Sequence, residues 1–207
     1  SHAAELLREE KRIEGQARLS RIINDNAQRL ERLVRDVLEL GRRDRTSQEP
    51  VRLAGFLESC LEELTMHERM DPTVFALSVE VDAVLLFDRT HLNQVLWNLL
   101  SNALRYCSGE AGAIRIEARN MATSGRAELH IIDDGAGIDE EAQGKIFEPF
   151  FTTHGKGTGL GLYIARELCE ANDAELEWID NAPGAHFRII GRNQLWQENR
   201  NAGGPWD

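Results

Sequence analysis

Three short segments of this chain carry residue types whose spacing suits chemistry on an anionic ligand. In Asn98-Leu-Leu-Ser-Asn102-Ala-Leu-Arg105-Tyr106 the polar residues fall at i, i+4 and i+7, on one face of a helix. Amide oxygens are hard, neutral ligands for a magnesium ion that also binds phosphates, and a guanidinium brings charge to those phosphates. A solvated polar stripe on an amphipathic helix gives the same pattern. In Ile131-Ile132-Asp133-Asp134-Gly135-Ala136-Gly137-Ile138 a strand ends in a carboxylate, and two glycines then let the backbone turn sharply beside a flat ligand. A buried Asp133 there can accept a hydrogen bond from an exocyclic amino group, although a strand-to-helix turn capped by Asp reads equally well. Catalysis by Asp133 and Asp134 as a pair is disfavoured, because neighbours on a strand point to opposite faces. Finally, Gly155-Lys156-Gly157-Thr158-Gly159-Leu160-Gly161-Leu162 runs directly into a helix. Alternating glycines at a helix N-terminus expose backbone N–H groups to an anion, or simply make a flexible loop. The spacing matches neither a Walker loop nor a dinucleotide fingerprint.

The elements that must position these segments alternate between helix and strand from residue 51 onward. Val51–Leu53 reads as a short extended piece and Leu53–Met66 as a helix. Val74–Val81 and Val84–Phe87 read as strands, and Asp88 caps a long helix over 89–106 whose apolar face is Leu92, Val95, Leu96, Leu99, Leu100 and Ala103. Residues 114–119 and 127–132 alternate like an antiparallel pair. A short helix is expected over 138–147, a Gly/Thr-rich loop over 149–158, a helix over 160–172, and a closing hairpin of 175–179 with 186–190 around Asn181-Ala182-Pro183-Gly184. The class is α+β: a mostly antiparallel sheet with helices on one face, a two-layer α/β sandwich.

Upstream, Leu19, Ile23, Asn26, Leu30, Leu33, Val37 and Leu40 step by alternating fours and threes, a heptad seam on a coiled-coil-like helix. Residues 44–50 read as a linker. The expected domains are therefore 1–46 (part of a helical hairpin), 47–191 (the sandwich) and 192–207 (a flexible tail). The chain has 207 residues, 42% of them hydrophobic and 29% charged, with a net charge of −11. The first 46 residues hold 11 basic against 9 acidic side chains, and the rest hold 13 against 26. So acidic a body repels nucleic-acid phosphates, and a nucleic-acid partner is excluded. Cys60, Cys107 and Cys169 are odd in number and in no metal-like spacing, which suits a reduced, cytoplasmic setting.

Taken in order, the asparagine helix, Asp-x-Gly-x-Gly, Phe147-Glu-Pro-Phe-Phe151 and Gly-x-Gly-x-Gly resemble the N, G1, F and G2 boxes of the catalytic domain of sensor histidine kinases. The resemblance covers residues 51–191, and the wording Phe-Phe-Thr-Thr-His and Glu-Leu-Cys-Glu-Ala-Asn is nearest to the nitrogen-regulation and pilus (NtrB- and PilS-like) members. It implies a Bergerat (GHKL) ATPase fold that binds ATP and Mg²⁺ and transfers the γ-phosphate to a histidine for relay to a response regulator receiver domain of the NtrC or PilR type. By the same resemblance Asp133 would hold the adenine amino group, with Gly135, Gly137 and Ile138 shaping the pocket, and Tyr106 and Phe147 would pack nearby. Asn102 and Asn98 would hold Mg²⁺, and Arg105 would meet the phosphates where the family often has lysine. Residues 149–158 would form a lid, with Lys156, Gly157, Thr158, Gly159, Leu160, Gly161 and Leu162 near the phosphate tail. The resemblance further implies a homodimer formed through the helical hairpin and a longer protein anchored in the bacterial inner membrane.

The string His67-Glu68-Arg69-Met70-Asp71-Pro72 matches the family's His-Glu-x-x-x-Pro phosphoacceptor motif, but it follows the hairpin helix and has Arg69 where the family has an apolar residue. His67 is therefore rejected, His2 comes too late, and the acceptor is expected upstream of Ser1. His91, His130, His154 and His186 are expected to be scattered structural or solvated residues. The alternatives are an ATP-driven dimerisation module of the chaperone, mismatch-repair or topoisomerase kind and an anti-sigma-type serine kinase; the upstream helix disfavours both.

Overall fold

The computed structural model describes residues 46–121, 124–153, 157–179 and 183–193, with isolated positions between 16 and 41. Among the described residues from 46 onward, seven strands and four α-helices follow in order: β1 Glu49–Arg52, α1 Leu53–Glu68, β2 Phe75–Val79, β3 Val84–Phe87, α2 Arg89–Tyr106, β4 Ile114–Met121, β5 Arg126–Asp133, α3 Glu140–Gln143, α4 Gly161–Ala171, β6 Glu175–Ile179 and β7 His186–Arg192. Five strands form one sheet in the order β2-β4-β5-β7-β6, and β1 pairs with β3 in a separate ribbon. Only β2 runs parallel to its neighbour β4, so the main sheet is mostly antiparallel, as the alternation implies. Ile116, Leu129, Ile131 and Ile189 from one sheet face pack with Leu92, Leu96, Leu99, Ile164 and Leu168 from the helices, which makes the two-layer sandwich.

Local chemistry places α2 accurately. The Asp88 carboxylate accepts from the N–H groups of Thr90 (2.9 Å) and His91 (3.1 Å), satisfying orphan donors of the first turn. Asn172, 1% exposed just after α4, accepts from Asp88 N–H at 2.8 Å, while its amide nitrogen lies 3.0 Å from His91 Nδ1 and donates to Leu168 O. The start of α2 and the end of α4 are thus locked together in a dry environment.

Several expectations change. The helix expected over 138–147 shrinks to Glu140–Gln143, because Gly144 ends it and turns carry the chain to Pro149. The strand expected over 74–81 is a 3₁₀ turn over Pro72–Val74 followed by β2. Residues 49 and 50, expected in a linker, lie in β1, an edge strand where proline loses no ladder partner. β7 extends to Arg192, beyond the boundary drawn before the tail, and Asn193 N–H still donates to Gly125 O at 2.8 Å. His130 and His186 are not scattered: the β5–β7 register brings His130 Nδ1 within 2.8 Å of His186 Nε2.

Described positions between Gln16 and Leu38 are helical; Leu19, Ile23 and Leu30 of the seam are exposed there, while Leu33 packs on the core. Val37 and Leu40 of the seam, His2 and His154, and the tail beyond Asn193 lie outside the described residues. Among the described residues no helix is long and apolar enough to cross a membrane.

Candidate functional site

The three segments singled out by residue type converge on one cavity of about 580 Å³. Its walls include Asn98, Asn102, Arg105 and Tyr106 from α2, then Asp133, Gly137 and Ile138 from the turn after β5. Gly157, Thr158, Gly159, Gly161 and Leu162 line it from the loop entering α4. Lys156 lies outside the described residues. Phe147 stands behind the wall, edge-on to Phe187 with ring centroids 6.3 Å apart, and it is Phe187 that faces the cavity. Leu160 is a core residue, 2% exposed, and Gly135 shapes the site without lining it.

The Asp133 turn is built by close backbone packing on both sides. A Cβ on Gly135 would lie 2.5 Å from Tyr106 O, and one on Gly137, at φ +81°, would lie 3.2 Å from Gly184 O. Glycine is therefore required where the end of α2, the turn and the β6–β7 hairpin meet. Asp134 points outward and accepts from Ser108 N–H (2.8 Å) and Ser108 Oγ–H (2.6 Å), which pins the segment after Tyr106 to the turn.

Asp133 points inward and is 7% exposed. Its Oδ1 accepts from Gly135 N–H (2.9 Å) and Ala185 N–H (3.1 Å), which leaves Oδ2 as the acceptor available to a ligand. Burial raises its pKa above the ordinary carboxylate value; the Ala185 and Gly135 N–H groups oppose the rise, and the Asp134 charge adds to it.

At the other end of the cavity the Asn98 amide nitrogen is buried without a hydrogen-bond partner, and a Cβ on Gly161 would lie 3.5 Å from Asn98 Oδ1. An unsatisfied buried amide beside a helix N-terminus suits an anionic or cation-bound ligand. Among the described residues no group of three His, Cys, Asp or Glu side chains could hold a metal. A hard cation here would rest on the Asn98 and Asn102 oxygens and on oxygens of the ligand, which fits Mg²⁺.

Residue-type reasoning missed part of the wall. Gln94 and Ser101 continue the α2 stripe, and helical periodicity from Asn98 could have found them. Trp97, and His67 and Glu68 at the end of α1, also line the cavity, and no local spacing foretells their convergence.

The family profile of the histidine kinase-, DNA gyrase B-, and HSP90-like ATPases matches residues 87–192. The chain is 37% identical over 194 residues to the sensor protein kinase PilS of Pseudomonas aeruginosa, covering 91% of this chain and 36% of that protein. It is 33% identical over 166 residues to the signal transduction histidine-protein kinase AtoS of Escherichia coli, covering 78% of this chain and 26% of the relative. This chain thus spans about a third of the one and a quarter of the other. Full-length ShkA in complex with AMPPNP superposes with a TM-score of 0.65 at 30% identity, over 78% of this chain and 35% of that one. Histidine kinase ThkA in complex with the response regulator TrrA superposes with a TM-score of 0.66 at 28% identity, over 85% of this chain and 51% of that one.

Proposed function

Because this chain belongs to the histidine kinase-, DNA gyrase B-, and HSP90-like ATPase family, we propose that it is the catalytic unit of a sensor histidine kinase. The observation that carries this reading is the single cavity joining a buried, half-satisfied Asp133 to the Asn98–Asn102–Arg105 stripe and the glycine loop. Asp133 Oδ2 accepts from the adenine amino group, and Tyr106 stands at the base. Asn98 and Asn102 would hold Mg²⁺, Arg105 faces the phosphates, and the N-terminus of α4 with Gly157–Gly161 receives the tail.

Mg²⁺ would draw charge from the phosphate oxygens; the protein's own part is positioning and neutralisation. A histidine nitrogen attacks the γ-phosphorus, the P–N bond forms, the bond to the β-phosphate oxygen breaks, and ADP leaves. Residues 47–193 form the catalytic unit, and the upstream helical positions belong to a hairpin through which a membrane-anchored protein dimerises and presents the acceptor. A receiver domain of the NtrC or PilR type takes the phosphoryl group onward. The bound states of ShkA and ThkA support nucleotide and response regulator as ligand and partner classes.

The test is transfer from γ-labelled ATP with Mg²⁺ by the whole protein carrying this chain. An acid-labile, base-stable label that passes to a receiver domain is expected. An acid-stable label on serine or threonine would contradict the reading.

A pH dependence follows from Asp133. Its raised pKa means that the nucleotide-free folded chain keeps the proton to higher pH than an ordinary carboxyl does, so the stability cost of the buried charge is present at high pH and is relieved as pH falls through that pKa. Adenine recognition needs the ionised form. ADP affinity is thus full well above the raised pKa and weakens as pH falls through it, starting above the range where an ordinary carboxyl near about 3.9 would protonate. Calorimetric titrations at stepped pH check this, and a flat profile contradicts it.

A further inference from the structure

We propose that His67 is a ligand of the terminal phosphate of a bound nucleoside triphosphate, so that the site tells triphosphate from diphosphate through the end of α1. The proposal rests on the nucleotide reading above.

The chain stops α1 abruptly at Glu68: Arg69 adopts a left-handed conformation at φ 54°, and its N–H bonds back to Thr65 O. The last turn is thereby left at the cavity wall, where both His67 and Glu68 line it. The His67 ring stands edge-on to Trp97, with centroids 5.2 Å apart and planes at 79°. Trp97 immediately precedes Asn98, so the imidazole sits at the phosphate end of α2.

The order along α2 fixes which part of a nucleotide reaches His67. Asp133 belongs to the turn packed on Tyr106 O, at the C-terminal end of the helix. Trp97 lies nine residues earlier, about 13 Å along the axis at the ordinary helical rise. A nucleotide whose base meets Asp133 must lay its tail past Arg105, Asn102 and Asn98, and the group that arrives last is the terminal phosphate. Glu68 Oε1 lies 3.1 Å from His67 Nδ1, so Nδ1–H donates to that carboxylate and Nε2 is left for the ligand. An N–H at Nε2 can donate there to a phosphate oxygen. With 65% of its side chain exposed, His67 is not consumed by the core and can be replaced without unfolding the chain.

The experiment compares ADP with a non-hydrolysable ATP analogue, each with Mg²⁺, by calorimetry on the wild-type chain, His67→Ala and His67→Gln. ADP affinity is expected to stay unchanged in both variants. His67→Ala should weaken the triphosphate about fivefold to tenfold, and the amide of His67→Gln, itself a donor, should restore part of the loss. Wild-type triphosphate affinity in His67→Ala, or equal loss of both nucleotides, would overturn the proposal. A label recovered on His67 itself after incubation with γ-labelled ATP would also overturn it, by making the residue an acceptor. If the wild-type chain fails to bind ADP, the nucleotide reading itself falls.

Discussion

Asp133→Asn is expected to cost about 100-fold or more in ADP affinity while leaving the fold intact. Oδ1 of the aspartate already accepts from Gly135 N–H and Ala185 N–H. An asparagine oxygen keeps both bonds, and its NH₂ group then replaces the free acceptor. A donor then meets the adenine amino group, itself a donor, in a position 7% exposed where water cannot compensate. The substitution also removes a buried charge whose pKa burial has raised, so the variant should melt no lower than the wild type. Loss of binding with undiminished thermal stability separates recognition from folding. ADP affinity within about threefold of wild type would remove Asp133 from the site.

Gly184→Ala should be the most damaging single methyl group in the described chain. Gly184 adopts φ +102°, and a Cβ there would fall 1.8 Å from Asp133 O and 2.8 Å from Asp133 C. The backbone must retreat, breaking Asp133 N–H to Ala185 O (3.0 Å) and Ala185 N–H to Asp133 Oδ1 (3.1 Å). Strain and two lost buried bonds together amount to about 3 kcal/mol or more, which lowers the melting temperature by about 5 °C or more. Nucleotide affinity should fall as well, because the same retreat shifts the carboxylate. Gly55→Ala is the control: nothing stands within 4 Å of its Cβ, it lies inside α1, and alanine there should hold or raise stability. A Gly184→Ala chain that melts with the wild type would show that the hairpin and the Asp133 turn are not in register.

These two positions show what can be read from residue order and what cannot. The place of Asp133 at a strand end in the cavity wall was legible because a strand-ending carboxylate before Gly-x-Gly marks a sharp turn locally. The limits of α2 were legible to the residue, since a capping Asp88 and six apolar residues at helical spacing point to the same helix. Gly184 reads only as a hairpin glycine; its contact with Asp133 spans some fifty positions and follows from the β5–β7 register. His67 likewise attracts attention for a motif in the wrong place, and only the packing of α1 against α2 brings it to Trp97. The helix expected over 138–147 failed because Gly144 and Pro149 outweigh weak periodicity. The acidity of the body, which repels nucleic-acid phosphates, is compatible with the proposed nucleotide because Arg105, two asparagines and a helix N-terminus would act locally.

The central claim is that one cavity recognises adenine through a free carboxylate oxygen, and the most direct measurement is the calorimetric titration of the chain with Mg²⁺–ADP against Mg²⁺–GDP. Guanine presents an oxo group where adenine presents an amino group, so the two nucleotides offer Asp133 Oδ2 an acceptor and a donor respectively. Saturable one-to-one binding of ADP is expected, with at least about 100-fold weaker binding of GDP. Equal affinity for the two, or no ADP binding at neutral pH, would contradict it.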